Sequence, residues 1–463
     1  MLKIITCCII SLFIIFQNTL FAQSGENNTL TVDSLKSDLQ FLRKTFESKH
    51  PTLYLYTPKN ELDKVFDSLS STLVYPLTEL EFYKRVSFLC SVIKDGHTNI
   101  LPGSEISNIH LTQSKFIPYH VIVSGNKILV DQVLTNENAI KSGTEILSIN
   151  NISSAQIIRE LEMRLPRDGY NQTYPFWILS NFFKDYYSFS FGHPEEYTIE
   201  YKQKDVPGKI TVDGILNERI SYYSKINYPQ NENKLKPGTG ITLHFSEDNI
   251  YAILKIRDFH KNILKKEYKQ NFKKTIRDYF VMIQSKNVPN LILDLRDNQG
   301  GELAYGKLLL SYLIDRPFIL VDSYYKVKPS SGQYELKKTG GPFTGKQKPM
   351  KNCFKGNITV LINGGSFSNS GIVSSCLKRY TKATFVGEET GGNNKVLAGY
   401  LKEYTLPFSK IQVQIPARQF LLDGNLTLTG HGTIPDLPMP QDPFSDTPDP
   451  VLKYVTDKIT NGK

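Results

Sequence analysis

A multidomain α/β fold is what this sequence predicts, and three observations carry the prediction. The length of 463 residues exceeds what one hydrophobic core usually organises. Apolar periodicity then changes twice along the chain: helical spacing first, short strands and turns next, and finally buried strands alternating with helices. The last region also holds two strand-turn-helix junctions, one built on paired glycines (residues 291–313) and one on serines (358–380). An apolar fraction of 40% with 11% aromatic residues excludes a disordered or fibrous protein. The formal charge of +10 is spread over many lysines with no basic block, so no nucleic-acid partner is expected.

Residues 1–22 have the layout of a secretory signal: Lys3, an apolar run over 4–16, and a small-residue cleavage site near Ala22. That run is too short to cross a bilayer, so the expectation is an exported chain, periplasmic or extracellular, with no stable membrane span after signal removal. The net positive charge allows a mild attraction to anionic envelope surfaces. Cys7 and Cys8 would leave with the signal. The remaining Cys90, Cys353 and Cys376 are too sparse and too widely spaced for a disulfide framework or a zinc site.

Residues 23–100 read as a helical domain. Leu35, Leu39, Leu42 and Phe46 recur on one face; so do Leu62, Val65, Phe66 and Leu69, and then Phe82, Val86, Leu89 and Ile93. His50-Pro51 and Tyr75-Pro76 separate the three runs, and Thr78 with Glu81 forms a capping box for the third. The domain stops at Lys94-Asp95-Gly96-His97-Thr98. Two readings of His97 stand at this point: a boundary histidine, or a ring presented to a cleft by a glycine-relaxed turn.

Residues 114–205 change to short strands at 121–123, 128–133 and 145–149, with a helix carrying Ile157, Ile158 and Leu161. Ala139, Gly143, Ile146, Leu147, Ile149 and Asn150 resemble a PDZ module, with Glu145 near its usual Asp and Asn151 in place of its Gly. That resemblance implies capture of an extended peptide by strand addition, although no carboxylate-binding loop is evident ahead of it. The aromatic segment 170–191 fits either a core or a wall against substrate. Residues 206–240 are expected as a linker.

Residues 241–445 read as an α/β core, with 446–463 as a C-terminal tail. Strands at 241–245 and 250–256, a helix at 268–285 and the buried strand 291–295 lead to Arg296-Asp297-Asn298-Gln299-Gly300-Gly301 and a further helix at 304–313. Paired glycines there let backbone N–H groups approach an anion. A phosphate cradle would also use them, but the P-loop Lys-Ser/Thr and a dinucleotide fingerprint are missing. Residues 358–380, ITVLINGGSFSNSGIVSSCLKRY, place Ser366, Ser368 and Ser370 between a strand and a helix. Taken alone, such serines read as helix caps. They also stand where unpaired N–H groups and the helix dipole would stabilise a developing oxyanion. Ile411, Val413 and Ile415 read as a strand that borders the groove.

The set KDGHT, LILDLRDNQGG, VLINGGSFSNSGI, FVGEETGG and GTIPD, in that order, resembles the carboxyl-terminal processing (tail-specific) serine protease family, and within it the tricorn-like branch. The resemblance covers nearly the whole mature chain. It implies a Clp-protease/crotonase-like α/β spiral for the core, Ser368 as nucleophile, and an oxyanion hole from Asn369 with Gly300 or Gly301. The lysine base of the other branch has no counterpart, because Thr390-Gly391-Gly392-Asn393 stands in its place. The tricorn-like branch implies His97 as base, which suits a hydroxyl nucleophile near neutral pH; His431 is the reserve. Asp95 is the candidate for orienting that base, since Thr429 stands where the branch carries an acid, and Gly371 replaces a frequent Glu. The expectation is an exported serine endopeptidase acting on a peptide or protein substrate, with no metal and no cofactor; the sequence leaves the oligomeric state open. The alternative is a catalytically weak or inactive peptide-binding or scaffolding protein that keeps the protease fold.

Overall fold

The computed structural model describes residues 29–137, 139–229, 236–327, 334–337, 343–422, 429–440 and 442–462. The expected signal segment, with Cys7 and Cys8, lies outside them. Four helices open the described chain: α1 (Val32–Lys49), α2 (Lys59–Thr72), α3 (Glu79–Val86) and α4 (Leu89–Ile93). Thr31 caps α1 by accepting from the Ser34 N–H, and the Thr78–Glu81 capping box starts α3. Their apolar faces meet in one core of Leu35, Leu42, Phe46, Leu62, Phe66 and Phe82. Strand β1 (Asn99–Leu101) and helix α5 (Ser104–Thr112) follow.

The middle unit is an antiparallel sheet covered by two helices. Strands β2 (Tyr119–Ser124), β3 (Lys127–Val133) and β4 (Glu145–Ile149) precede α6 (Ser154–Glu162) and α7 (Thr173–Phe191); β5 (Glu196–Gln203) and β6 (Val206–Asp213) complete the order β6-β5-β4-β3-β2. Asn150 and Asn151, at φ 51° and 65°, make the turn after β4, a conformation that Asn accepts more readily than most residues. The aromatic segment becomes α7, kinked at Phe182, and its Ile178, Leu179 and Tyr187 fill the core over this sheet. The stretch 206–240 differs from the expected linker. β6 pairs in full register with β5 (Ile210↔Ile199), and Asn217–Asn227 forms helix α8. Its polar composition hid a strand that buries little more than Val212.

The third unit contains β7 (Ile241–Phe245), β8 (Tyr251–Ile256), α9 (Lys261–Lys266), α10 (Phe272–Ser285), β9 (Asn290–Asp294), α11 (Leu303–Leu313), β10 (Ser323–Val327) and β11 (Tyr334–Lys337). It continues with β12 (Asn357–Ile362), α12 (Asn369–Tyr380), β13 (Thr384–Gly387), β14 (Val396–Thr405), β15 (Gln412–Leu421), β16 (Leu437–Pro438) and α13 (Pro450–Asn461). One sheet runs β7-β8-β9-β12-β13-β16 and is parallel from β8 onward. Leu291, Ile292 and Leu293 of β9 are fully buried, which explains an apolar run without alternation. A second sheet orders β11-β10-β15-β14, and β1 joins it on β15. The expected tail is a docked helix: Asp449 caps α13, while Val451 and Val455 pack on Ile292, Leu361 and Val386. Cys90, Cys353 and Cys376 are buried free thiols. Among the described residues no helix is long and apolar enough to cross a membrane.

Candidate active site

Ser368 stands between β12 and α12 with φ 53° and ψ −121°. A non-glycine residue there stores roughly 1–3 kcal/mol of backbone strain, so the surroundings must hold it. Ser366 does part of this: its Oγ accepts from Asn363 N–H (3.1 Å) and donates to the Leu295 carbonyl (2.9 Å). Phe367 N–H donates to the Asn298 carbonyl at 3.1 Å. Gly300 presses so close that a Cβ on it would lie 2.6 Å from Ser368 Cβ and 2.6 Å from Asn369 N. Gly371, which replaced an expected Glu, has the same logic: a Cβ there would meet Gly392 Cα at 3.0 Å. Although Ser368 occupies the helix-capping position, its side chain makes no capping bond. Ser370 Oγ is buried with no partner among the described residues.

The Ser368 Oγ instead lies 3.0 Å from His97 Nε2. Two devices bring His97 there from the helical unit. Lys94 ends α4 in the left-handed conformation (φ 59°), and β1, starting two residues after His97, docks on β15 with Ile100 opposite Val413. Ile411, Val413 and Ile415 thus face the helical core, whereas Gln414, between them, faces the cleft. The His97 ring stacks on Phe367 (centroids 4.6 Å apart), Phe367 on Tyr174 (4.0 Å), and Tyr174 on Trp177 (6.2 Å). Helix α7 therefore serves as core and as a wall of the site. Burial lowers the His97 pKa from 6.5 to about 3, which keeps the ring neutral. Its Nδ1 is buried without a partner among the described residues.

The glycine pair divides its tasks. Gly300 N–H donates to Asn298 Oδ1 at 2.9 Å, and Gly300 O accepts from Phe259 N–H. The N–H groups of Gly301 and Asn369 have no acceptor among the described residues, and Gly301 lines the cleft beside Ser368. That cleft, about 680 Å³, is bounded by His97, Tyr174, His260, Gln299 and the β14 residues Leu397 to Glu403. β14 pairs with β15 on one side and has no other neighbour in the sheet order among the described residues.

Asp95 accepts from the backbone N–H of His97 (2.8 Å) and from Thr98 Oγ1 (3.4 Å), and its other oxygen lies 3.6 Å from His50 Nε2. Its pKa is raised by burial and by the neighbouring Asp168. Asp168 was not singled out from the sequence, where Asp168-Gly169 reads only as a turn. It is 3% exposed and accepts from Gly96 N–H (2.7 Å) and Asn393 N–H (3.1 Å). Asp95, His97 and Asp168 each bring one carboxylate oxygen or ring nitrogen within 4.8 Å of the others. Asn393, in place of the missing lysine, is buried and gives its side-chain amide to Tyr56 Oη (2.9 Å). His431, the reserve base, faces Glu389 (3.2 Å), and Thr429 is exposed.

Residues 250–439 match the family described as Peptidase family S41. Carboxyl-terminal-processing peptidase 2, chloroplastic, of Arabidopsis thaliana is 28% identical over 131 residues, 28% of this chain and 23% of that protein. A probable CtpA-like serine protease of Staphylococcus epidermidis is 26% identical over 130 residues, 28% of this chain and 24% of that protein. The chain thus spans about a quarter of the length of the curated relatives it matches. The fold is similar to the crystal structure of mature CPAF (TM-score 0.67, 14% identity, 93% of this chain and 98% of that one). It is likewise similar to mature CPAF complexed with lactacystin (TM-score 0.68, 15% identity, 93% and 99%).

Proposed function

We propose that this chain is an exported serine endopeptidase, built as a tricorn-like member of the carboxyl-terminal processing proteases with a PDZ-like middle module and a Clp-protease/crotonase-like core. The observation that carries the reading is the 3.0 Å contact between Ser368 Oγ and His97 Nε2 beside two N–H donors that have no acceptor among the described residues. Ser368 Oγ attacks the scissile carbonyl carbon while His97 Nε2 takes its proton. The carbonyl oxygen becomes an oxyanion held by Asn369 N–H and Gly301 N–H, the donors the geometry favours over Gly300. Collapse expels the amine, which takes the proton from His97, and leaves an ester on Ser368; water, deprotonated by the same imidazole, then releases the acid. The substrate is a peptide or protein segment in extended form, supported by the free edge of β14 along the cleft.

Ser368→Ala is expected to abolish hydrolysis of an unstructured protein while its circular dichroism and melting stay those of the parent. Full turnover in that variant would remove the assignment. A second reading, a peptide-binding scaffold with little or no activity, is favoured by the partnerless His97 Nδ1 and by the exposed Thr429 where an acid was expected. His97→Ala separates the two, because a scaffold would keep its binding and have no hydrolysis to lose.

A further inference from the structure

A base whose Nε2 is free to take a proton carries its own proton on Nδ1, and that N–H is buried without an acceptor among the described residues. A base whose pKa burial has lowered to about 3 is also poorly matched to work near neutral pH. Both defects vanish if an anion faces Nδ1. We propose that Asp168 is the positioning residue of His97, its carboxylate accepting the Nδ1–H in the working enzyme and completing Ser368–His97–Asp168 from three separate parts of the chain.

The placement favours Asp168 over Asp95. The Asp95 oxygens are turned to the His97 backbone N–H and Thr98 on one side and His50 on the other. Among the described residues Asp168 accepts from the N–H groups of Gly96 and Asn393 alone, one from each segment flanking the base, and each of its oxygens keeps a second lone pair. A ring nitrogen of His97 lies within 4.8 Å of it, a gap that a bridging water spans or that a shift of about 2 Å closes. The anchoring is tight: Gly169 N–H donates to the Lys94 carbonyl (2.9 Å), Tyr170 N–H to the Gly430 carbonyl (2.8 Å), and Asn171 Nδ2 to the Thr390 carbonyl (3.0 Å).

The charge state follows from the neighbours. The ionisable groups facing the two carboxyls are His50, neutral through burial; Tyr56, whose phenol burial pushes above its ordinary value; and His97. Lys94 turns its ammonium to the face of Tyr170. Among the described residues no cation stands between them, and two buried carboxyls so placed cannot both ionise easily. Asp95, which faces the second carboxyl as well as burial, keeps the shared proton, and Asp168, held by two N–H donors, takes the charge.

The test rests on the proposed function and is arranged to fail separately from it. Hydrolysis of fluorescein-labelled casein is followed against pH for the parent, Ser368→Ala, Asp168→Asn and Asp95→Asn. Asp168→Asn is expected to lose about 10²–10⁴-fold in kcat with KM nearly unchanged, and to move the acidic limb of kcat/KM to lower pH, because imidazolium loses its counter-ion. Asp95→Asn is expected to leave that limb in place. In Ser368→Ala protein labelled with ¹⁵N-histidine, a low-field Nδ1–H proton should be present, and it should vanish on adding Asp168→Asn. If Asp168→Asn does not fold, Asp168→Glu keeps the charge and should hold the acidic limb at its parental pH. A parental kcat and limb in Asp168→Asn, a displaced limb in Asp168→Glu, or a proton signal indifferent to Asp168 would each overturn the assignment. Turnover in Ser368→Ala would instead remove the catalytic reading beneath it.

Discussion

At the scale of single residues, Ser368 is held in a strained backbone conformation that the glycine loop makes room for. Gly300→Ala tests this: a Cβ at φ +89° would strike Ser368 Cβ and Asn369 N, so activity should fall together with about 1–3 kcal/mol of stability, read by denaturant unfolding. His97→Ala should lower kcat by about 10²–10⁴-fold. Burial also gives the molecule a pH signature. His50, lowered to about 3 from 6.5, binds a proton more readily unfolded than folded, so its share of stability is whole above about pH 6.5 and is lost as pH falls toward 3. Asp95 has the opposite sign: the folded chain keeps a proton that the unfolded chain releases above about pH 4. His50→Gln removes one histidine contribution. Its melting temperature relative to the parent should therefore rise as pH is lowered from 7 to 5, and a constant difference would contradict that account. Taken alone, the turns at Ser368 and His97 read as a helix cap and a boundary histidine; only the order of five motifs pointed to the pair, and their 3.0 Å contact is not encoded locally. Asp168 was not legible, because an Asp-Gly pair looks like any turn until folding brings it beside residues 72 positions away.

Among elements, the short strand β1 does work out of proportion to its length. It joins the helical unit to β15, and His97 lies two residues before it. Ile100, 3% exposed, packs in the helical core, so Ile100→Ala should cost about 2–5 kcal/mol. It should also reduce kcat, which a purely distant core change would leave alone. Helical periodicity and the Thr78–Glu81 box were readable because both are local. β6 and α13 escaped: one is a mostly exposed strand whose alternation buries little, the other a short helix whose partners lie on β9, β12 and β13. The division of the glycine pair into a structural Gly300 and an open Gly301 N–H was equally out of reach, since it depends on the Asn298 side chain.

For the whole molecule, the candidate site lies where the three units meet: His97 from the first, Asp168 from the second, Ser368 from the third. The underside of the glycine loop is braced by a buried ion network. Arg296 pairs with Asp294 (2.9 Å) and Asp449 (2.6 Å), and Lys255 also reaches Asp294 (2.9 Å). Asp294 is 2% exposed, so Arg296→Met leaves a buried carboxylate with Lys255 alone and should cost about 3 kcal/mol, loosening α13. Hydrogen exchange in residues 450–461 would report it. The α/β class was legible from the order of periodicities, and the placement of the units was not, because it rests on pairings such as Ile100↔Val413 that no local pattern encodes. Mass-spectrometric mapping of a serine-reactive phosphonate asks whether Ser368 is a nucleophile activated by His97. One adduct is expected, on Ser368, absent in Ser368→Ala and formed about 10²–10⁴-fold more slowly in His97→Ala; an adduct elsewhere, or labelling at the parental rate without His97, would rule those roles out.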